Sequence, residues 1–158
     1  MKKTIILTVA VSLLTSVALA DSARAATVRK IVNTPSAPAA IGAYSQAIIA
    51  GQFMFVSSQT GLSPETMAFV SNDIAGQMEQ ALKNLGVILS AGNSDYNKVI
   101  KITMFVTELE KSHLALNVYK KYFTEKQPAL SIVGVSSLPA GALVQIEATA
   151  LVGEIKEE

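Results

Sequence analysis

The chain predicts an α+β fold in which two helices pack on one face of a β-sheet. Three observations carry that expectation. Ile74, Met78, Ala81, Leu82, Leu85, Ile88 and Leu89 recur at helical spacing and form one apolar stripe. Lys98 to Thr107 alternates instead, with Ile100, Ile102, Met104 and Val106 on one face and Lys101, Thr103, Phe105 and Thr107 on the other. Short apolar runs punctuated by Gly and Pro flank these two segments and complete the order β-β-β-α-β-α-β-β.

Each element has its own signal. Val28 to Asn33 reads as a short strand, and Thr34 to Ala40, with Pro35 and Pro38, as a loop. Ser45 to Ala50 and Phe53 to Ser57 flank Gly51-Gln52, which predicts a hairpin. Thr60 to Val70 contains Gly61 and Pro64 and reads as loop. Ser71 or Asn72 is placed to cap the first helix, and Gly92 to stop it. The second helix is expected from about Ser112 to Thr124, with Leu114, Val118, Tyr119, Tyr122 and Phe123 inward. Leu130 to Ser137 and Leu143 to Val152 read as strands parted by a Leu138-Pro139-Ala140-Gly141 turn. On the last strand Val144, Ile146, Ala148 and Ala150 make a helix-facing row. Leu143, Gln145, Glu147, Thr149 and Leu151 make the other, too apolar for plain solvent surface and too polar for core. An oligomer whose sheets pack around an axis accounts for that row, as does a half-exposed sheet face.

Composition narrows the function classes. With 158 residues, half of them apolar, one domain with a full core is expected. Net charge is +1 and the basic residues are scattered, so nothing suggests nucleic acid. No cysteine is present, which removes disulfides, thiolate nucleophiles and sulfur ligands. A single histidine, His113, argues against a histidine-based metal site and reads as a surface residue of the second helix. Lys2 and Lys3, the apolar run Ile5 to Val17 and the small-x-small site Ala18-Leu19-Ala20 form a secretory signal pattern. Ala23-Arg24-Ala25 offers a second cleavage site. The run is short for a membrane span, which needs about 20 residues. The expectation is a signal peptide over residues 1–20 or 1–25 and one domain over 28–155. The mature protein would be periplasmic and free of the membrane.

Several segments together resemble the RidA (YjgF) family: APAAIGAYSQA from Ala37, FVSSQTG from Phe55, KVIKITMFVTEL from Lys98, PALSIV from Pro128 and QIEATA from Gln145. The resemblance covers about residues 31 to 152. It implies a chorismate-mutase-like, mixed-sheet α+β fold that assembles as a homotrimeric barrel with small-molecule clefts between subunits. It also implies hydrolysis of 2-imino and enamine acids, such as 2-aminoacrylate, to 2-keto acids and ammonia, with no metal or organic cofactor.

Carried over by position, the resemblance assigns Tyr44, Ser57 and Ser58 to substrate binding and Glu147 to positioning water. Ala43 and Ser58 stand where the family has proline and glycine. In PALSIV, Leu130 stands where the family has the arginine that clamps the substrate carboxylate, and Ile132 where it has cysteine. A guanidinium holds a carboxylate by two parallel hydrogen bonds, which leucine cannot replace. Activity on 2-imino acids is therefore expected to be lost or weak, with Leu130 and Ile132 lining an apolar ligand pocket or filling the old site. Lys101, or Arg29, is the candidate substitute cation. An imine or enamine deaminase of altered substrate and a non-catalytic, chaperone-like or partner-binding trimer are the alternative readings.

Overall fold

The structure, a computed structural model, describes residues 28–156. The expected leader and both of its cleavage sites lie outside the described residues. The eight elements follow the expected order: β1 (Arg29–Val32), β2 (Ala47–Ala50), β3 (Phe53–Thr60), α1 (Ile74–Ala91), β4 (Val99–Val106), α2 (Ser112–Tyr122), β5 (Ala129–Gly134) and β6 (Val144–Leu151). The strands form one sheet in the order β1-β2-β3-β6-β4-β5. Every pairing is antiparallel except β4 with β5, so the sheet is mixed.

The core lies between the sheet and the two helices. Leu82, Leu85, Ile88 and Leu89 of α1 are fully buried against Met54, Ile102, Met104 and Ile146. Each such side chain contributes about 1.5–3 kcal/mol relative to exposure. Tyr96 closes the helix side by donating to the Leu82 carbonyl at 2.7 Å, and burial pushes its phenol up to about 12. The predicted rows on β6 are observed: Val144, Ile146, Ala148 and Ala150 are buried, while Gln145, Glu147, Thr149 and Leu151 are not.

Three local expectations are corrected, while the expected Gly92 stop of α1 holds. The N-cap of α1 is Asp73, whose carboxylate accepts from Gly76 N at 2.8 Å, and Ser71 instead hydrogen-bonds Asp73. Gly92 does end α1, but with φ −95 it is not left-handed; its missing Cβ makes room for the Met54 thioether. Ile100 leaves its expected row. The β4–β6 register slips between Val99 and Lys101, Val99 turns inward, and Ile100 is 40% exposed. On α2, Leu114 is exposed and Ala115 takes the inward position.

A second slip matters more for function. Val56 pairs with Ala148 and Gln59 with Ile146, so three steps on β3 match two on β6. The extra residue is a β-bulge. Met54, Val56 and Gln59 are buried on the helix side, whereas Ser57 and Ser58 are both only partly buried. The bulge thus releases two consecutive serines from the core face of a strand that otherwise alternates.

Candidate functional site

Beside that bulge lies a cavity of about 590 Å³, lined by polar Tyr44, Ser57, Ser58, Gln145 and Glu147 and walled by apolar side chains that include Ile41 and Met67. Its base is β3 and β6, and its roof is the loop before β2. Gln46, 2% exposed, ties that loop down. Its Oε1 accepts from Thr34 N at 2.7 Å, and its Nε2 donates to the carbonyls of Thr34, Ala37 and Pro38 at 3.0, 3.3 and 2.9 Å. Gln59 secures the bulge from the core side, donating to the Ser57 and Ser58 carbonyls at 2.9 and 3.2 Å. Ser57 is bound twice to the roof's end, through N to Gln46 O at 2.9 Å and through Oγ to Ser45 O at 2.7 Å.

Helix α1 anchors the rim. Asn84 Nδ2 donates to the Thr60 and Leu62 carbonyls at 3.1 and 2.9 Å, and Gln77 Oε1 accepts from Leu143 N at 2.8 Å. Two non-glycine residues of the lining, Met67 and Ala140, hold left-handed backbone, each with φ 55. Such a conformation costs about 1–3 kcal/mol and persists only where the surroundings enforce it.

The cavity brings together four of the residues singled out from the sequence: Tyr44, Ser57, Ser58 and Glu147. It does not bring Leu130 and Ile132 to them. Leu130 is opposite Ile102, Ile102 is opposite Ala148, and all three face the helices. Ile132 follows the same line through Met104 and Ile146. Glu147 pairs with Thr103 on the opposite face. Within one protomer the sheet therefore separates PALSIV from the cavity.

Lys101 shares Glu147's face and lines a smaller recess of about 180 Å³ with Phe55, Thr103, Glu147 and Thr149. Its ammonium donates to Ser131 Oγ at 2.6 Å. Arg29 is on the far edge strand, five strand positions from β5 in the sheet order, and does not line the cavity. His113 is exposed, with Nδ1 3.1 Å from Glu110 O. Among the described residues, no group of three or more His, Cys, Asp or Glu gathers to hold a metal ion, and no helix is long and apolar enough to cross a membrane.

Sequence reasoning missed the buried amides Gln46, Gln59, Gln77 and Asn84, and the pocket residue Gln145. A glutamine among apolar residues carries a hint of burial, but its partners are loop carbonyls whose course only the fold supplies.

A six-stranded mixed sheet, two helices on one face and a polar cavity opened by a bulge beside β6 define a small α+β protein of the RidA-like fold class. Comparison with known proteins agrees. Residues 34–152 match the family model described as Endoribonuclease L-PSP. Reactive Intermediate Deaminase A, chloroplastic, of Arabidopsis thaliana is 44% identical over 130 residues, covering 82% of this chain and 70% of that protein. The 2-iminobutanoate/2-iminopropanoate deaminase of Rattus norvegicus is 40% identical over 126 residues, 80% of this chain and 92% of that one. Among solved structures, YyfA of the conserved Rid protein family from Yersinia pestis superposes with a TM-score of 0.77 at 40% identity, covering 79% of this chain and 100% of its own. The chain belongs to the RidA/YjgF family of imine and enamine deaminases.

Proposed function

We propose that this chain is an exported homotrimeric member of the family in which 2-imino acid deamination is lost or weak, and in which the cavity persists as a small-molecule site. One observation carries the reading: the cavity keeps the carboxylate of Glu147 but has no cationic side chain in its lining. Hydrolysis of a 2-imino acid needs water oriented at the imine carbon, which Glu147 can do as acceptor or base, and a partner for the substrate carboxylate. Lys101 is engaged with Ser131, and an ammonium is a point charge rather than a fork. A carboxylate entering this cavity meets Glu147 and no counter-charge.

Export is supported by the Lys2-Lys3, Ile5 to Val17 and Ala18-Leu19-Ala20 pattern. A trimer is supported by the open face of the sheet, where Ile31, Phe55 and Val133 are exposed apolar side chains. The presence of Glu147 favours a second reading, hydrolysis of an imine or enamine that lacks a carboxylate.

The test is keto-acid release from 2-aminoacrylate generated in situ, with an arginine-bearing relative as reference. The expected rate is about a hundredth of the reference or less, since losing a bidentate clamp is worth about 3 kcal/mol. A comparable rate refutes the proposal.

A further inference from the structure

The polar lining of the cavity carries one charge and several unused neutral groups. The hydroxyls of Tyr44, Ser58 and Thr60 have no hydrogen-bond partner among the described residues, and neither has the amide nitrogen of Gln145, whose Oε1 is the buried end of that side chain. Glu147 supplies the charge, and its side chain is exposed. No Lys, Arg or His among the described residues lines the space.

Strand register orders these groups. Thr60 stands opposite Gln145. The bulge holds Ser57 and Ser58 between the Val56–Ala148 and Gln59–Ile146 pairs, which sets them across from Glu147. The Ser57 hydroxyl is given to Ser45 O, so Ser58 keeps the free one. Gln145 and Glu147 are i and i+2 on β6, on one face with Cα atoms about 7 Å apart. The floor therefore has a neutral donor end at Thr60 and Gln145 and a carboxylate acceptor end at Glu147. Ile41, Leu62 and Met67 wall it with apolar surface.

We infer that the cavity takes an uncharged carboxamide with a short apolar substituent. An amide holds a carbonyl acceptor and an N–H donor about 2.2 Å apart, and each reaches a partner about 2.9 Å away. One planar group thus spans the two strand positions. Its oxygen accepts from the Gln145 amide nitrogen and the Thr60 hydroxyl, and its N–H donates to Glu147 with charge assistance. A carboxylate offers Glu147 no donor and is repelled by it. An ammonium offers Gln145 no acceptor and gives up more hydration on entry. The inference rests on the reading of the cavity as a small-molecule site and gives that site a ligand class: a neutral amide needs no cation where a substrate carboxylate would.

The test titrates butanamide, butanoate and n-butylammonium, probes of matched size, into the mature protein at neutral pH and follows backbone amide NMR shifts. Butanamide is expected to bind about tenfold tighter than either ion and to shift the resonances of Thr60, Gln145 and Glu147. Glu147→Leu should weaken it about tenfold, the worth of one charge-assisted hydrogen bond, and Thr60→Val about fivefold, the worth of a neutral one. Thermal melts establish that each variant is folded; should one not fold, the ranking of the three probes on the parent decides. Tighter binding of butanoate than of butanamide overturns both this inference and the cation-free account of the cavity. Equal or tighter binding of n-butylammonium, no binding by any probe, or butanamide affinity unchanged in both folded variants overturns the inference alone, and the aminoacrylate assay then judges the proposed function separately.

Discussion

Leu130→Arg is the perturbation that discriminates most between accounts of this protein. Leu130 is half-buried on the helix side of edge strand β5, opposite fully buried Ile102. Removing half of a leucine's burial costs about 1 kcal/mol, and the aliphatic stem of arginine recovers part of it by lying along the same surface. The variant is expected to fold and to melt a few degrees lower, about 4 °C at most for a domain of this size. Its guanidinium would point away from the Glu147 of its own protomer, because the two positions lie on opposite sheet faces. Restored activity therefore requires a second copy to bring its β5 edge against the cavity. If the trimer does so, two charge-assisted hydrogen bonds worth about 3 kcal/mol together return a gain of about a hundredfold in kcat/KM for 2-aminoacrylate. The assay is coupled keto-acid release, run beside a light-scattering mass measurement of parent and variant. A folded, trimeric variant as silent as the parent would refute the reasoning that position 130 is the switch. A monomeric parent would refute the assembly on which the gain depends.

Three further outcomes follow from the packing. Tyr119 is 95% buried by its 5% exposure, and its hydroxyl has no partner, so Tyr119→Phe should stabilise by about 1 kcal/mol in thermal melts; a loss would mean that the hydroxyl is satisfied in the assembly. Gly86→Ala gains about 1 kcal/mol in an ordinary helix, but here the added Cβ would collide with the Tyr96 hydroxyl and ring, so a net loss of about 1–3 kcal/mol is expected, relieved only in part when Tyr96→Phe is added because the ring stays. Hydrogen bonds from Ser71 and from the Gly76 N–H hold the Asp73 carboxyl below its ordinary value, so its contribution is present above the ordinary aspartate range and fades as pH falls through the lowered value. Asp73→Ala should thus melt lower than the parent at neutral pH, with the two curves converging in acid; a constant gap would assign the effect to something other than the charged cap.

The elements legible in the sequence were those whose signal is local. The α1 stripe and the β6 alternation state their own periods, and burial at Leu85, Ile88 and Ile146 follows them. The errors fall where a partner strand decides. Ile100 belongs by alternation with Ile102, yet the bulge opposite Ala150 expels it, and nothing in VIKITMFV marks the slip. The cap of α1 was misplaced because Ser71, Asn72 and Asp73 are all competent caps, and only the geometry of the first turn selects Asp73. In the cavity, Tyr44, Ser57, Ser58 and Glu147 were reached through resemblance rather than pattern. Gln145 was assigned to the same row as Glu147 but given no role, because an unpaired oxygen is a property of surroundings.

The bulge explains why these particular residues meet. Regular pairing of β3 with β6 would put Ser57 on the open face and Ser58 on the core side, against α1. Ser58 would then carry an unpaired hydroxyl into the apolar layer, and Gln59 would face outward, away from the carbonyls it now satisfies. One inserted residue turns both serines toward the cavity, returns Gln59 to the core face, and widens the gap between strands beside Ile146 and Ala148, where Glu147 projects. The same insertion leaves Gln145 beyond the bulge, opposite Thr60 and on the same face as Glu147.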